Sequence, residues 1–268
     1  MKDNDRKWQI TRTSKVPKLN NPVFIEGLPG IGNVGKVAVD FLIDDTKAVK
    51  LYEIISYTFP HSVFVNEDNI VELPIIEIFY KKYSGKRQDI IFLGGDVQPI
   101  DEFSCYEFSD MVLDMMQELG TSEVITLGGV GLAEIPKNPK VYCTGNSKKI
   151  IEKYKTSSTV DKLYNVVGPI MGVSGLMLGL AGKRNIPAVS FLAETYGHPM
   201  YLGVKGAREI LKVLNEKLRI NADISKMDKE IKDIETEVAK KSEQLGKMSK
   251  SIALNKINKI KGDVDYIG

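Results

Sequence analysis

The chain has 268 residues, 43% hydrophobic and 27% charged, which excludes a wholly disordered chain, a collagen-like chain and a polytopic membrane protein. Lysine and arginine number 37 against 35 aspartate and glutamate residues, so the net charge of +2 predicts neither a nucleic-acid nor a membrane partner. Two cysteines are too few for a disulfide scaffold, and the polar N-terminus lacks the apolar core of a secretory signal, so we predict a cytoplasmic location.

The predicted elements alternate between strands and helices from residue 21 to about residue 202, which indicates an α/β layered domain. Residues 1–20 are polar, and we interpret them as a loosely held arm or an edge strand. The predicted strands are Val23–Glu26, Val49–Ser56, Ser62–Val65, Ile75–Tyr80, Gln88–Leu93, Glu123–Leu127, Lys140–Thr144 and Ala188–Ala193. The predicted helices are Val34–Asp44, Asp101–Glu118, Ser147–Tyr154 and Ser174–Lys183.

The composition changes after Gly203, where glycine becomes rare and proline is absent. A wide apolar stripe over Ala207–Leu218 predicts a helix packed on the body. Beyond it, apolar residues recur in steps of four and three, which is typical of a coiled-coil seam that joins identical chains. A single helix lying along the domain is the alternative, but two apolar residues in seven make a stripe too narrow for it. The predicted seam is Ile220, Ile224, Met227, Ile231, Ile234, Val238, Leu245, Met248 and Ile252.

These patterns divide the chain into four parts. We predict an N-terminal arm over residues 1–20, an α/β domain over 21–218, a coiled-coil helix over 219–262 and a flexible tail over 263–268. In the tail, Val264, Tyr266 and Ile267 place three apolar side chains in an otherwise charged terminus, so they are candidates for binding a partner.

A glycine-rich segment follows the first predicted strand and opens the first predicted helix. Its spacing, Gly30-x-Gly32-x-x-Gly35, matches a dinucleotide-binding fingerprint, and Glu53 lies where a ribose-binding acid is expected. A tight structural turn explains the same glycines equally well, so both interpretations stay open. Glycines also follow two later strands, and ligands bind at the carboxyl ends of strands in open α/β sheets. The candidate loop residues are Gly27, Gly30, Gly32, Asn33, Gly35, Gly94, Gly95, Gly128 and Gly129.

Residues suited to catalysis are scarce. The two histidines, His61 and His198, lie next to prolines in loops, and the two cysteines, Cys105 and Cys143, fall in predicted helix and strand and are expected to be core thiols. Four scattered histidines and cysteines do not suit a zinc site. We therefore predict no catalytic residue, no metal and no cofactor.

Four segments together resemble the proteasome assembly chaperone family in its archaeal branch, and the resemblance covers roughly residues 20–215. The most specific segment is residues 26–38, EGLPGIGNVGKVA. The other three are residues 128–131, GGVG; residues 168–176, GPIMGVSGL; and residues 186–195, IPAVSFLAET.

The resemblance implies a three-layer α/β domain similar to the purine nucleoside phosphorylase fold, without that enzyme's chemistry. It implies a non-enzymatic chaperone or adaptor that binds proteasome α subunits or the α ring and forms homo-oligomers through its body and coiled coil. Family members present C-terminal tails with a tyrosine second from the end, whereas Tyr266 is third from the end here. The alternative hypothesis is a nucleotide- or nucleoside-handling enzyme that uses the crevice beside the glycine loop.

Overall fold

The structure is a computed structural model that describes residues 7–160, 168–198, 201–229 and 231. The chain divides into two units, residues 1–224 and residues 225–268. The strands described in the first unit are β1 (Trp8–Arg12), β2 (Val23–Glu26), β3 (Val49–Ser56), β4 (Phe64–Val65), β5 (Val71–Glu72), β6 (Ile76–Lys81), β7 (Ile90–Gly95), β8 (Glu123–Leu132), β9 (Val141–Gly145), β10 (Thr159–Val160) and β11 (Ala188–Tyr196). Its helices are α1 (Val34–Thr46), α2 (Glu102–Glu118), α3 (Lys148–Tyr154), α4 (Gly172–Lys183) and α5 (Val204–Leu218). Among the described residues, no helix is long and apolar enough to span a membrane.

Most of these strands form one mixed sheet. Within the described residues it has nine strands in the order β1-β3-β6-β7-β2-β8-β11-β9-β10. The central strands β7, β2, β8 and β11 are parallel, whereas β6, β3 and β1 follow one another in antiparallel pairs. The arm predicted for residues 1–20 therefore contributes an edge strand, and the predicted α/β class is confirmed.

Helices cover both faces of the sheet and give the first unit three layers. Successive residues of a strand point to opposite faces. In β7, Leu93 belongs to an apolar cluster with Phe108 of α2 and Met177 of α4. A Cβ on the next residue, Gly94, would instead meet Val39 of α1. Helices α2 and α4 therefore lie on one face, and α1, with α5 packed beside it, lies on the other.

Two strands continue through glycines that were predicted to follow the strand ends. β8 extends five residues beyond the predicted end at Leu127, because residues 128–132 pair with Leu192–Tyr196 of β11. β7 likewise includes Gly94 and Gly95, which pair with β6. A neighbouring strand supplies hydrogen-bond partners in both cases, and this pairing overrides the low strand propensity of glycine.

A small hairpin, β4–β5, connects β3 to β6, and the sequence predicted only its first strand. Val65 pairs with Val71 across it, and the Asn66 Oδ1 accepts hydrogen bonds from the backbone N of Asp68 and of Ile70 in the turn. Ile76, the first residue of β6, pairs with Gly95 at the carboxyl end of β7. The hairpin therefore leaves the sheet at the edge where the central parallel strands end.

The structure corrects the start of the predicted coiled-coil helix. α5 ends at Leu218, and Arg219 and Asn221 have left-handed backbone conformations with φ of 53° and 62°. The Asn215 amide then bonds both the N and the O of Ala222, which fixes a non-helical segment at the end of α5. Ile220 is a buried residue of this segment and not part of a helical seam.

The predicted seam residue Ile224 lies in a turn and not in a helix, which is a second correction at the start of the seam. In the second unit, the described residues Ser225–Lys229 and Ile231 are helical, and they include Met227 and Ile231 of the predicted seam. The seam residues Ile234, Val238, Leu245, Met248 and Ile252 lie outside the described residues, as do Val264, Tyr266 and Ile267 of the tail. The coiled coil and the binding tail therefore stay predictions.

Candidate functional site

The glycine loop lies at the edge of the sheet where the central strands end. A Cβ on Gly27, directly after β2, would lie 2.3 Å from the Gly35 O in α1, and a Cβ on Gly35 would lie 2.3 Å from the Leu127 O in β8. The backbones of β2, α1 and β8 are therefore in direct contact there, and any side chain would force them apart. Close packing alone accounts for glycine at these two positions.

The turn between β2 and α1 depends on left-handed backbone. Gly32 has φ of +60°, and a Cβ there would lie 2.5 Å from the Thr195 Oγ1. Asn33 follows with φ of 51°, a conformation that asparagine tolerates better than most residues. Its backbone N donates to the Gly30 O at 2.9 Å, which closes the turn.

The glycines of the neighbouring strands differ in how much space surrounds them. A Cβ on Gly129 would lie 2.2 Å from the Ile31 O, and one on Gly95 would lie 2.8 Å from the O of Ile75, the residue before β6. A Cβ on Gly128 would press on the Leu192 side chain at 3.0 Å, whereas one on Gly94 would make ordinary contacts at 3.4 Å. Gly129 and Gly95 are therefore fixed by backbone packing, and Gly94 is not.

Gly30 is not explained by close packing or by a left-handed turn, unlike the other glycines of the loop. Its φ of −156° is extended backbone, and a Cβ there would meet nothing within 4 Å. Neither conformation nor packing therefore demands glycine at this position, although it belongs to the fingerprint spacing. Gly30 instead faces open space at the wall of a cleft.

The cleft opens between the glycine loop, the start of α2 and the start of α4, and its volume is about 850 Å³. Its lining is mostly apolar and includes Leu28, Ile31, Ile100, Ile170, Met171 and Leu192. Gln98 and Ser174 supply polar groups. A large apolar cleft with few polar groups is the usual form of a binding site.

Gln98 ties two walls of the cleft together. Its Nε2 donates to the Pro29 O at 2.6 Å, and its Oε1 accepts from the Val173 N at 3.2 Å. The glycine loop is thereby connected to the first turn of α4. Gln98 is not predictable from the sequence, because a single glutamine in a loop carries no distinguishing pattern.

Glu26, the last residue of β2, is fully buried beneath the glycine loop. Its Oε1 accepts from the Leu28 N at 2.9 Å, whereas its Oε2 has no hydrogen-bond partner in the part of the chain that the structure describes. Burial raises the pKa of Glu26 to about 7, and the Leu28 N–H and the nearby Ser174 hydroxyl offset only part of this effect. The sequence signal that could have identified Glu26 is a glutamate at the end of an otherwise apolar strand, a position that was not among the predicted site residues.

The geometry argues against the dinucleotide interpretation. The ribose-binding acid of that fold lies on the strand next to the glycine loop. Here Glu53 is in β3, which β6 and β7 separate from β2, and its carboxylate bonds Lys50 at 2.8 Å. Lys36 is also occupied, because its Nζ donates to the Gly95 O at 3.0 Å and pairs with Asp40 at 2.9 Å.

The thiols and the imidazole of His198 are not arranged as a nucleophile and base, although Cys105 lines the cleft. Cys105 and Cys143 are buried, as expected for core thiols. Burial raises the pKa of the Cys105 thiol, which donates to the Pro99 O at 3.0 Å. His198 stacks on Tyr196 with ring centroids 5.6 Å apart.

Large apolar side chains are exposed around the mouth of the cleft. We call this set the rim surface; their exposed fractions lie between 51% and 78%, and the residues are Ile31, Ile100, Phe103, Tyr106 and Met171. Aromatic residues and methionine are enriched in protein–protein interfaces. The rim therefore has the composition of a surface that binds another polypeptide.

Comparison with known proteins relates this architecture to one family. The family model described as PAC2 family matches residues 24–242. The chain belongs to the PAC2 family. This confirms the family predicted from the glycine-rich segments, and the match includes the glycine loop and the walls of the cleft.

Individual relatives agree with the family match. An uncharacterized protein of Methanocaldococcus jannaschii is 30% identical over 232 residues, which cover 86% of this chain and 87% of that protein. The crystal structure of Pyrococcus furiosus PbaB, an archaeal proteasome activator, is 32% identical with a TM-score of 0.81, covering 88% of this chain and 99% of PbaB. P. furiosus PbaA, an archaeal homolog of proteasome-assembly chaperone, shares the fold at 21% identity with a TM-score of 0.73, covering 98% of this chain and 100% of PbaA.

Proposed function

We propose that this protein is a non-enzymatic proteasome assembly chaperone or proteasome-binding adaptor that contacts α subunits or the assembled α ring. The observation that carries the proposal is the likeness to PbaB, a proteasome activator, at 32% identity over nearly the whole of that chain. Family membership supports the same class of function. The phosphorylase-like form of the three layers and a cytoplasmic location belong to this proposal as well.

The glycine loop is consistent with a function that involves no catalysis. Backbone contacts account for Gly27 and Gly35, and a left-handed turn accounts for Gly32. The alternative of a nucleotide-handling enzyme depends on these same glycines, so it loses its main support once packing explains them. The exposed rim surface favours a protein partner instead.

Self-association and the C-terminal tail complete the proposal. We expect identical chains to assemble through the body and through the predicted coiled coil, which would present several copies of Val264, Tyr266 and Ile267 together. Several linked tails bind a ring far more tightly than one tail, provided that their spacing matches the sites.

The test is direct binding. Purified archaeal α subunits and assembled α rings would be immobilised separately, and the intact chain would be titrated onto each, with β subunits as the control. Saturable binding to either α species supports the proposal, and binding to neither contradicts it. A variant lacking residues 264–268 should bind α rings at least tenfold more weakly; equal affinities would remove the tail from the proposal.

A further inference from the structure

The β4–β5 hairpin carries a second exposed apolar surface. We call it the hairpin surface; its residues are 45% to 63% exposed, and they are Val63, Phe64, Val65, Ile70, Val71 and Leu73. Single exposed apolar residues are ordinary, but a contiguous patch of them marks an interaction site. A two-stranded hairpin is also only marginally stable in water by itself, so this one needs a packing partner.

We propose that the hairpin surface of one copy of this chain inserts into the cleft of a second copy, and that the second copy returns the same contact. The inference deepens the self-association part of the proposed function by naming the two surfaces that meet. Both are present on this single chain, one convex and one concave, so a second copy supplies the partner for each.

The sizes of the two surfaces are compatible. An apolar cavity of about 150 Å³ holds one benzene ring, so a cleft of about 850 Å³ has room for roughly five apolar groups of that size. The hairpin turn satisfies much of its own polarity, because the Asn66 Oδ1 accepts two backbone N–H bonds and the Asn66 Nδ2 donates to Glu72 at 2.8 Å. Insertion would therefore bury mainly apolar side chains.

Charged groups flank the apolar contact on both sides. The tip of the hairpin is acidic, with Glu67 and Asp68 exposed. At the rim surface, the Lys7 Nζ lies 4.2 Å from the centroid of the Phe103 ring and pairs with Glu107, and Glu102 lines the cleft. The charge of Lys7 is therefore already neutralised, so the apolar side chains, and not charge, carry the pairing.

The position of both surfaces predicts the symmetry. The hairpin and the cleft lie at the same edge of the sheet, where β7 ends and β6 begins. Two copies that face each other across this edge can exchange hairpins about a two-fold axis, which is the commonest symmetry of protein oligomers. Reciprocal exchange makes each contact twice, and this helps to reach the buried area of about 1,600 Å² that is typical of stable interfaces.

Cross-linking between two single substitutions tests the contact in the full chain. Val65→Cys marks the hairpin and Met171→Cys marks the rim; a short bis-maleimide joins thiols that lie close together. Mixing the two variants should give a cross-linked pair on a denaturing gel, and neither variant alone should do so. Both variants are made in a Cys105→Ser background, because the native Cys105 lines the cleft and would itself capture a hairpin cysteine. The Cys105→Ser chain sets the baseline.

Matched variants separate a specific contact from random collision. Val71→Asp in the hairpin should lower the cross-linked fraction at least tenfold, whereas Val49→Asp should leave it unchanged. Val49 is the control because it is an exposed strand valine at the far end of β3. Cross-linking of Val65→Cys with itself would indicate a hairpin-to-hairpin contact and overturn the proposal, as would no cross-link in the mixture. Because no proteasome subunit is present, a negative result leaves the proposed proteasome binding intact.

Discussion

The glycine loop and the β4–β5 hairpin are contrasting parts of the same sheet edge. The loop has a recognisable sequence motif, yet close backbone packing leaves no room for a side chain at Gly27 or Gly35. The hairpin has no motif, yet its apolar side chains are exposed to solvent. The comparison shows that a glycine pattern reports how closely backbones approach one another, whereas a binding surface is recognised by what remains uncovered.

The largest expected effect tests the packed side of this comparison. Gly35→Ala should lower the free energy of unfolding by about 3 kcal/mol or more, since its Cβ would lie 2.3 Å from the Leu127 O, a backbone atom that cannot rotate away. Urea denaturation measures the change.

Gly30→Ala is the matched control in the same motif. Its Cβ meets nothing within 4 Å, so the free energy of unfolding should change by less than about 0.5 kcal/mol. Equal losses in the free energy of unfolding for the two variants would contradict the prediction, because they would mean that Gly30 is packed as closely as Gly35.

A second prediction concerns Glu26, which lies beneath the loop. Its pKa rises from 4.5 in the unfolded chain to about 7 in the folded chain, so the folded state binds more protons between these values. The contribution of Glu26 to the free energy of unfolding is therefore fully present below pH 4.5. It declines as the pH rises and is lost once the pH exceeds about 7. Glu26→Gln should remove this decline and raise the free energy of unfolding at pH 8 by on the order of 3 kcal/mol.

Denaturation of both proteins at pH 5 and pH 8 measures the Glu26 effect, with the exposed Glu67→Gln as the control. The Glu26→Gln and parent curves should nearly coincide at pH 5 and separate at pH 8. A constant difference between them at every pH would assign the effect to packing and not to proton binding.

The sequence predicted most of the body because local signals there agree with the tertiary structure. Val23–Glu26 and Val49–Ser56 match their strands to the residue, since apolar runs and flanking turn residues mark both ends. The predicted end of β8 at Leu127 was wrong, because only pairing with β11 keeps Gly128 and Gly129 in a strand. The assignment of Ile220 to the coiled-coil seam was wrong, because a heptad count does not detect the left-handed backbone of Arg219, which ends α5.

The candidate site was predictable in its backbone but not in its side chains. The glycine spacing located the edge of the sheet, whereas Gln98 and the rim residues come together only through tertiary structure. Phe103 and Tyr106 are three apart on α2, a spacing that also suits a buried helix face. Exposure, which the sequence does not record, distinguishes the two.

A smaller prediction concerns a glycine that packing does not require. Gly179 lies inside α4 with no atom near its Cβ position. Gly179→Ala should therefore raise the free energy of unfolding by about 0.5–1 kcal/mol, because alanine loses less backbone entropy in a helix. Thermal or urea denaturation measures the change. A loss of stability would contradict the prediction, because it would mean that another group packs against Gly179.

The smallest effect on folding is expected in the hairpin. Val71 is 63% exposed, so Val71→Asp should change the free energy of unfolding by less than about 0.5 kcal/mol when the protein is dilute. At higher protein concentration the parent chain should gain stability that the variant lacks, because association through the hairpin favours only the folded state. Urea denaturation of both proteins over a hundredfold range of concentration measures this difference. If Val71→Asp instead destabilised the dilute protein strongly, the hairpin would be packed within its own chain, and its contrast with the glycine loop would disappear.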